Sequence, residues 1–281
     1  MNKGRIEKIL NRGQHQELLN AENFKFDRAQ RILITGADGS IGRALAARIK
    51  NYDNVECLTT DIVGGHEYLD VTDFQNVFSV INKFSPTIIV NIAGAKHAPL
   101  GEKEIWKTLS INTIGMKNII DAASRDCKVV LTSTCKANNP EVVYGASKLI
   151  AEKMVLNAGG SVARYFNVVE TSGNVFEIWE KTAIDEPIKV ASECERHFIS
   201  VEESVGLIMY TMIAPQGRYI INSTDKRSMQ DIANSLYPNR EKISIPPRTG
   251  DRICELFKSS SEEAESFHLN RSVIKLRSIH D

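Results

Sequence analysis

The sequence predicts an α/β fold: a doubly wound parallel sheet with a smaller C-terminal lobe that faces the ligand. Three observations predict it. Short apolar runs alternate with helix-patterned stretches between residues 31 and 166, a glycine-rich turn stands between the first run and the first helical stretch, and the alternation loosens after about Asn167. Strands that alternate with helices pair in parallel through right-handed crossovers, which gives a sheet with helices on both faces.

The elements follow in order. RILIT (31–35) is the first strand, GADGSIG the turn, and RALAARIK the first helix. VECLT (55–59) is the second strand, followed by a helix around Asp73 to Lys83 and the strand TIIVNIA (87–93). A long helix from about Glu104 to Ala123 leads to VVLTST (129–134), then to the helix VVYGASKLIAEKMVL (142–156) and the strand SVARYF (161–166). Beyond it lie a helix near Glu202 to Met212, a strand at RYIIN, and loops such as IDEPIKV and SIPPRTGD. KSSSEEAES (258–266) is polar enough to read as a loop or frayed helix. The first 28 residues precede the first strand and read as a helical arm packed on the body or on a neighbouring subunit.

Composition narrows the function. The chain has 281 residues, ample for a buried core. Lys plus Arg and Asp plus Glu both number 35, so no global charge favours nucleic acid or an anionic membrane surface. The 5 cysteines are widely spaced with no C-x-x-C pair, which points to a reducing compartment and to no metal site. No stretch approaches the roughly 18 apolar residues of a membrane span, and MNKGRIEKILNRGQHQELLN lacks the apolar core of a leader. The expectation is a cytoplasmic protein whose ligand is held in a local site.

In TGADGSIG, Gly36, Gly39 and Gly42 are spaced G-x-x-G-x-x-G. Three glycines also make an ordinary tight turn. Placed after a strand and before a helix, they let the backbone approach a pyrophosphate at the helix N-terminus, where Ser40 and Ile41 sit. Asp61 ends the second strand, 25 residues beyond Gly36, where an acid binds a ribose 2′-hydroxyl. No Arg or Lys flanks it to receive a 2′-phosphate, so the cofactor expected is NAD rather than NADP. Asp70, beside Val71 in YLDVTD, is placed to reach the adenine or to cap the following helix.

Tyr144 and Lys148, four apart on a helix, leave one face a turn apart. An isolated Y-x-x-x-K is usually plain helix surface. Here it follows a glycine turn and a strand ending in Ser133 and Thr134, and an ammonium beside the phenol is expected to lower its pKa from about 10. The pair is then a base for an alcohol.

These motifs resemble the extended short-chain dehydrogenase/reductases, a Rossmann family. Within it they resemble the nucleotide-sugar 4,6-dehydratases that act on UDP-N-acetylglucosamine, among the polysaccharide biosynthesis proteins of the CapD type. The segments that carry the resemblance are TGADGSIG, LDVTD, NIAGAKHAPL, SINTIGMKNIIDAA, STCKANNP, YGASK, RYFNVVETSGNVF, ERHFIS and PPRTGDRICE. The resemblance implies a closed redox cycle on a UDP-sugar. Tyr144 takes the O4 proton as hydride leaves C4, Lys136 takes the acidified C5 proton, an acid protonates the C6 hydroxyl, and hydride returns at C6. It also implies that Ala93, Gly94, Ala95 and Asn112 line or support the cofactor site, that Lys96, His97 and Asn167 contact the sugar nucleotide, and that Arg196 and Arg248 bind its diphosphate. A homo-oligomer is the family habit.

Two positions depart from the pattern. The family reads S-T-D-K where this chain has Cys135 after Thr134, so a thiol with a reference pKa near 8.5 replaces the carboxylic acid. Phe166 replaces a glycine, which is expected to narrow the pocket. The chain is thus expected to hold an N-terminal arm (1–28), an NAD-binding domain (29–167) and a mainly substrate-binding lobe (168–281), with 202–235 returning to the NAD-binding domain. The expected activity is 4,6-dehydration of a UDP-N-acetylhexosamine. A 4-epimerase or 4-ketoreductase is the alternative that Cys135 keeps open, and a non-catalytic nucleotide-binding regulator is the second.

Overall fold

The computed structural model describes residues 3–10, 15–64, 66–223 and 226–279. Residues 1–2 and 11–14 of the expected N-terminal arm lie outside the described residues.

One nine-stranded sheet organises the chain. Its strands are β1 (Gln30–Thr35), β2 (Val55–Asp61), β3 (Glu67–Tyr68), β4 (Ile88–Asn91), β5 (Lys128–Thr134), β6 (Ser161–Tyr165), β7 (Arg218–Ile221), β8 (Glu262–His268) and β9 (Val273–Ser278). Their order across the sheet is β8-β9-β7-β6-β5-β4-β1-β2-β3. The first seven strands pair in parallel; only β9, lying between β7 and β8, pairs antiparallel. Strand order reverses beside β1, which has β2 on one side and β4 on the other. In open α/β sheets a ligand crevice forms at such a reversal, beyond the carboxyl ends of the strands.

The interior strands are apolar because both faces are covered. Alternation sends Ile32 and Ile34 into one core with Leu45, Val130, Leu207 and Ile208, and Leu33 into the other with Ile89, Leu131, Ile119 and Val155. A third core is built on Phe176, Trp179, Ile188 and Val190. The N-terminal helices Lys3–Leu10 and Gln16–Leu19 pack on the body: Leu18 enters the first core, and Ile9 and Leu10 enter the third.

Two sequence readings are corrected by the fold. KSSSEEAES is not a loop or frayed helix throughout: from Glu262 it is β8, at the edge of the sheet, where one face is left to solvent and polar residues are tolerated. The expected 104–123 helix is interrupted by a π-helical stretch, Ser110–Ile114, between Ile105–Leu109 and Gly115–Ala122. No helix among the described residues is long and apolar enough to cross a membrane.

Candidate active site

The crevice beside β1 opens into a cavity of about 600 Å³. β1 ends at Thr35, and Gly36 turns the chain with φ of 67°, a conformation costly for any side chain. A Cβ at Gly36 would lie 2.6 Å from the Ala93 amide nitrogen, so the turn also requires close approach to the loop after β4. The helix Ser40–Ile49 then starts with no side-chain cap, leaving its first amides facing the cavity at the positive end of the helix. Gly36, Gly39, Ser40 and Ile41 line this wall. Gly42 sits behind it, packed against Ala37 and Gly36.

Asp61, Asp70, Val71, Ala93, Gly94 and Ala95 line the same cavity. Asp61 accepts from the Asp38 amide at 2.9 Å and the Ile62 amide at 2.7 Å, which fixes its carboxylate at the strand end. Arg43 pairs with the carboxylate of Asp38, the residue whose amide donates to Asp61, at 3.2 Å. Asp70 accepts from the amide and hydroxyl of Thr72, and Asp73 caps the following helix instead of Asp70.

The opposite wall comes from the helix Val143–Asn157, whose Tyr144 and Lys148 both line the cavity. Lys148 Nζ donates to the Thr132 carbonyl at 3.2 Å. Asn112, inside the π-helical stretch, holds the loop after β4 against this helix. It accepts from the Ala95 amide at 2.9 Å and donates to the Ala95 carbonyl at 3.0 Å and to Ser147 Oγ at 2.9 Å. π-Helical turns recur at functional positions, and this one places a buried amide where three elements meet. A Cβ at Gly94 would approach both Asn112 Oδ1 and Lys148 Nζ at 3.0 Å, so a larger residue would crowd that junction.

The electrostatics differ from the expectation for the Tyr/Lys pair. Burial raises the Tyr144 pKa above its ordinary value, with Cys135 adding to the rise, while Thr134 and the charge of Lys136 oppose it. Burial also lowers Lys148 to about 8, with Glu152 one turn further on opposing the fall. Desolvation therefore outweighs the ammonium effect expected from spacing.

Cys135 and Lys136 begin a short 3₁₀ turn capped by Thr134, whose hydroxyl accepts from the Lys136 amide at 3.2 Å. The Cys135 thiol is buried and pushed up to about 12, first by desolvation and then by the Glu255 carboxylate, so it is a neutral thiol and a poor proton donor. Lys136 Nζ lies 3.4 Å from Asp251 Oδ1 and 3.8 Å from Glu255 Oε1. Burial works to lower the Lys136 pKa, but Cys135, Glu255 and Asp251 raise it overall. With the thiol neutral, the ion-pair partners of this amine are Asp251 and Glu255. An amine held in this way rests as ammonium, whereas the resemblance implies a base.

The expected substrate contacts divide. Lys96 lines the cavity and donates to the Ser172 carbonyl at 2.9 Å. His97 lies just outside it, beside Gly173. Asn167 does not reach the cavity, because its amide nitrogen clamps both Glu255 oxygens at 2.9 and 2.8 Å. Arg196 is buried with its donors on the Glu195 and Arg252 carbonyls and near Asp251 and Glu255, so no free fork faces a diphosphate. Arg248 is exposed in a turn closed by the Asp251 amide and does not line the cavity. Phe166 does not narrow the cavity; it is buried against the rings of His197 and Phe257.

Sequence reading missed three residues. Tyr165, at the end of β6, lines the cavity with a buried hydroxyl that has no hydrogen-bond partner among the described residues. The rule that strand ends bind ligands would have flagged it. Asp251 and Glu255 fall inside PPRTGDRICE, but nothing local gives them a role, since their meaning depends on Lys136, more than a hundred residues earlier in the chain. The glycine wall, the fixed Asp61 and the unpartnered Tyr165 hydroxyl together fit a dinucleotide.

Comparison with known proteins agrees with this geometry. The family model described as "Polysaccharide biosynthesis protein" matches residues 32–276. The chain is 28% identical over 238 residues to a "Probable polysaccharide biosynthesis protein EpsC" of Bacillus subtilis, covering 73% of this chain and 40% of that protein. It thus spans less than half the length of that relative. It is 27% identical to a "UDP-N-acetylglucosamine 4,6-dehydratase (inverting)" of Campylobacter jejuni, covering 82% of this chain and 78% of that protein. Among solved structures, the Thermus thermophilus UDP-glucose 4-epimerase complex with NAD superposes with a TM-score of 0.69 at 18% identity, over 80% of this chain and 89% of that chain.

Proposed function

We propose a reaction from one premise: the chain belongs to the polysaccharide biosynthesis protein family, whose model matches residues 32–276. The reaction is NAD-dependent 4,6-dehydration of a UDP-N-acetylhexosamine such as UDP-N-acetylglucosamine. The observation that carries it is the meeting of the glycine turn, Tyr144 and Lys148 in one cavity.

Gly36, Gly39, Ser40 and Ile41 would hold the cofactor's pyrophosphate and Asp61 its ribose; with Arg43 occupied by Asp38, this arrangement favours NAD. When bound, the nicotinamide supplies a hydride acceptor for C4 and a donor for C6. The protein does the rest. Tyr144, a neutral phenol at rest, relays the O4 proton of the sugar, giving up its own phenolic proton as it takes the one from O4. Lys148, at about 8, is poised to exchange a proton near neutral pH. Lys96 stands at the rim on the sugar side.

A second reading, a nucleotide-sugar 4-epimerase or 4-ketoreductase, is favoured by one observation. The Cys135 thiol at about 12 is a poor acid for expelling water. Incubation with UDP-N-acetylglucosamine and NAD in heavy water, read by mass spectrometry, separates the readings. Loss of water supports the dehydratase. An isobaric sugar supports the epimerase, and cofactor binding with no product on any UDP-sugar supports a binding regulator.

A further inference from the structure

We propose that Asp251 and Lys136 form the acid–base pair of the elimination, the carboxylate taking the C5 proton and the ammonium protonating the departing C6 oxygen. The inference rests on the dehydratase reading and deepens it. Four groups meet at the Thr134–Lys136 turn: Lys136, Arg196, Asp251 and Glu255, two cations and two carboxylates. The carboxylates are not equivalent. Glu255 is 3% exposed, and both its oxygens are bonded, to Asn167 Nδ2 and to the His197 amide at 3.1 Å. Asp251 keeps a 29% exposed side chain whose contacts here are long: 3.4 Å to Lys136 Nζ and 3.8 Å to Arg196. One carboxylate is locked in place, and the other has room to take a proton.

The chemistry balances from the 4-keto sugar onward. The C5–H electron pair becomes the C5=C6 double bond while its proton goes to Asp251. The C6–O bond breaks, and its electron pair leaves on oxygen, which takes a proton from Lys136 and departs as water. Transfer of the Asp251 proton back to C5 after hydride return restores the carboxylate, and Lys136, left as a neutral amine, regains its proton from solvent, which receives the proton released from O4. A buried thiol at position 135 is then a spectator, which explains how the chain dispenses with an acid there.

The test uses the full chain, UDP-N-acetylglucosamine and NAD in heavy water, with three readouts: reduced-cofactor absorbance for C4 oxidation, deuterium at C5, and loss of water. Asp251→Asn is expected to retain C4 oxidation while C5 exchange and water loss fall by about 10²–10⁴-fold. Asp251→Glu should recover part of both. Lys136→Met is expected to keep C5 exchange and lose water loss, whereas a lysine base would lose both together. Wild-type dehydration matched by Asp251→Asn overturns this inference alone, as does loss of C5 exchange in Lys136→Met. A wild type that oxidises C4 but neither exchanges C5 nor loses water overturns the dehydratase reading, and this inference with it.

Discussion

Two charge clusters flank the helix that carries Tyr144 and Lys148, one buried and one at the edge of solvent, and they are built to opposite ends. In the first, Glu152, Arg164, Arg218 and Glu262 link that helix to β6, β7 and β8. Arg164 spans Glu152 at 2.6 Å and Glu262 at 2.9 Å, Arg218 spans the same two carboxylates at 2.8 Å each, and Asn138 accepts from Arg164. In the second, Lys136, Arg196, Asp251 and Glu255 stand 3.4 to 3.8 Å apart. Both are formally neutral. Short, bidentate, dry contacts fix protonation states, while longer contacts at the edge of solvent leave a proton free to move.

On the proposal above the first cluster serves stability and the second the elimination, and the largest expected effect comes from breaking the first. Glu152→Gln leaves two buried guanidiniums with one carboxylate, and the expected cost is about 3–5 kcal/mol in urea unfolding. Because Glu152 lies one turn beyond Lys148, activity should fall as well. Asp251→Asn should cost less than about 1 kcal/mol, since its contacts are long and part-exposed. Equal losses would dissolve the distinction between the clusters.

Acid should reach the first cluster through its carboxylates. Burial works to raise the Glu262 pKa, but hydrogen bonding and charge from Arg164 hold it at about 2, below the ordinary value of 4.5, and Glu152 is lowered in the same way. A depressed folded-state pKa contributes stability that is fully present above 4.5 and is lost as pH falls toward about 2. Thermal unfolding across that window should show a steep loss in the wild type and a shallower one in Glu262→Gln. An unchanged slope would show that the protons are taken up elsewhere.

A smaller effect is expected at the junction behind the cofactor wall. Asn112→Ala removes three hydrogen bonds that tie the Ala95 loop to Ser147. The expected cost is about 1–3 kcal/mol from the buried groups left unpaired, together with weaker NAD binding by calorimetry. Retained affinity would mean that the loop is held from the cofactor side.

The same contrast governs what could be read from sequence. The glycine turn, Asp61 and the Tyr144/Lys148 spacing are local patterns, and each falls on the cavity because a strand end or one helical turn sets its position. The second cluster is assembled by tertiary structure. Asp251 and Glu255 reach Lys136 from a C-terminal loop, and Asn167 and Arg196, expected at the ligand, are spent on holding them. β8 was invisible for a related reason. Its polar sequence makes sense only once Glu262 is seen turned inward to Arg164 and Arg218. Phe166 illustrates the converse, since a bulky side chain after β6 turned toward the rings of His197 and Phe257 and left the cavity open.

The smallest effect is expected at position 135 itself. A thiol at about 12 gives up no proton near neutral pH, so Cys135→Ser should change water loss less than about threefold, or roughly 0.7 kcal/mol in barrier. Cys135→Asp is expected to raise it, because a carboxyl beside Glu255 is pushed toward its protonated form and becomes a second donor next to Lys136. The gain should stay below about tenfold, since Lys136 already supplies the proton. A much larger gain would show that the elimination lacks an acid in the wild type and would favour the epimerase. Unchanged or lower turnover would show that the turn after Thr134 does not face the leaving oxygen.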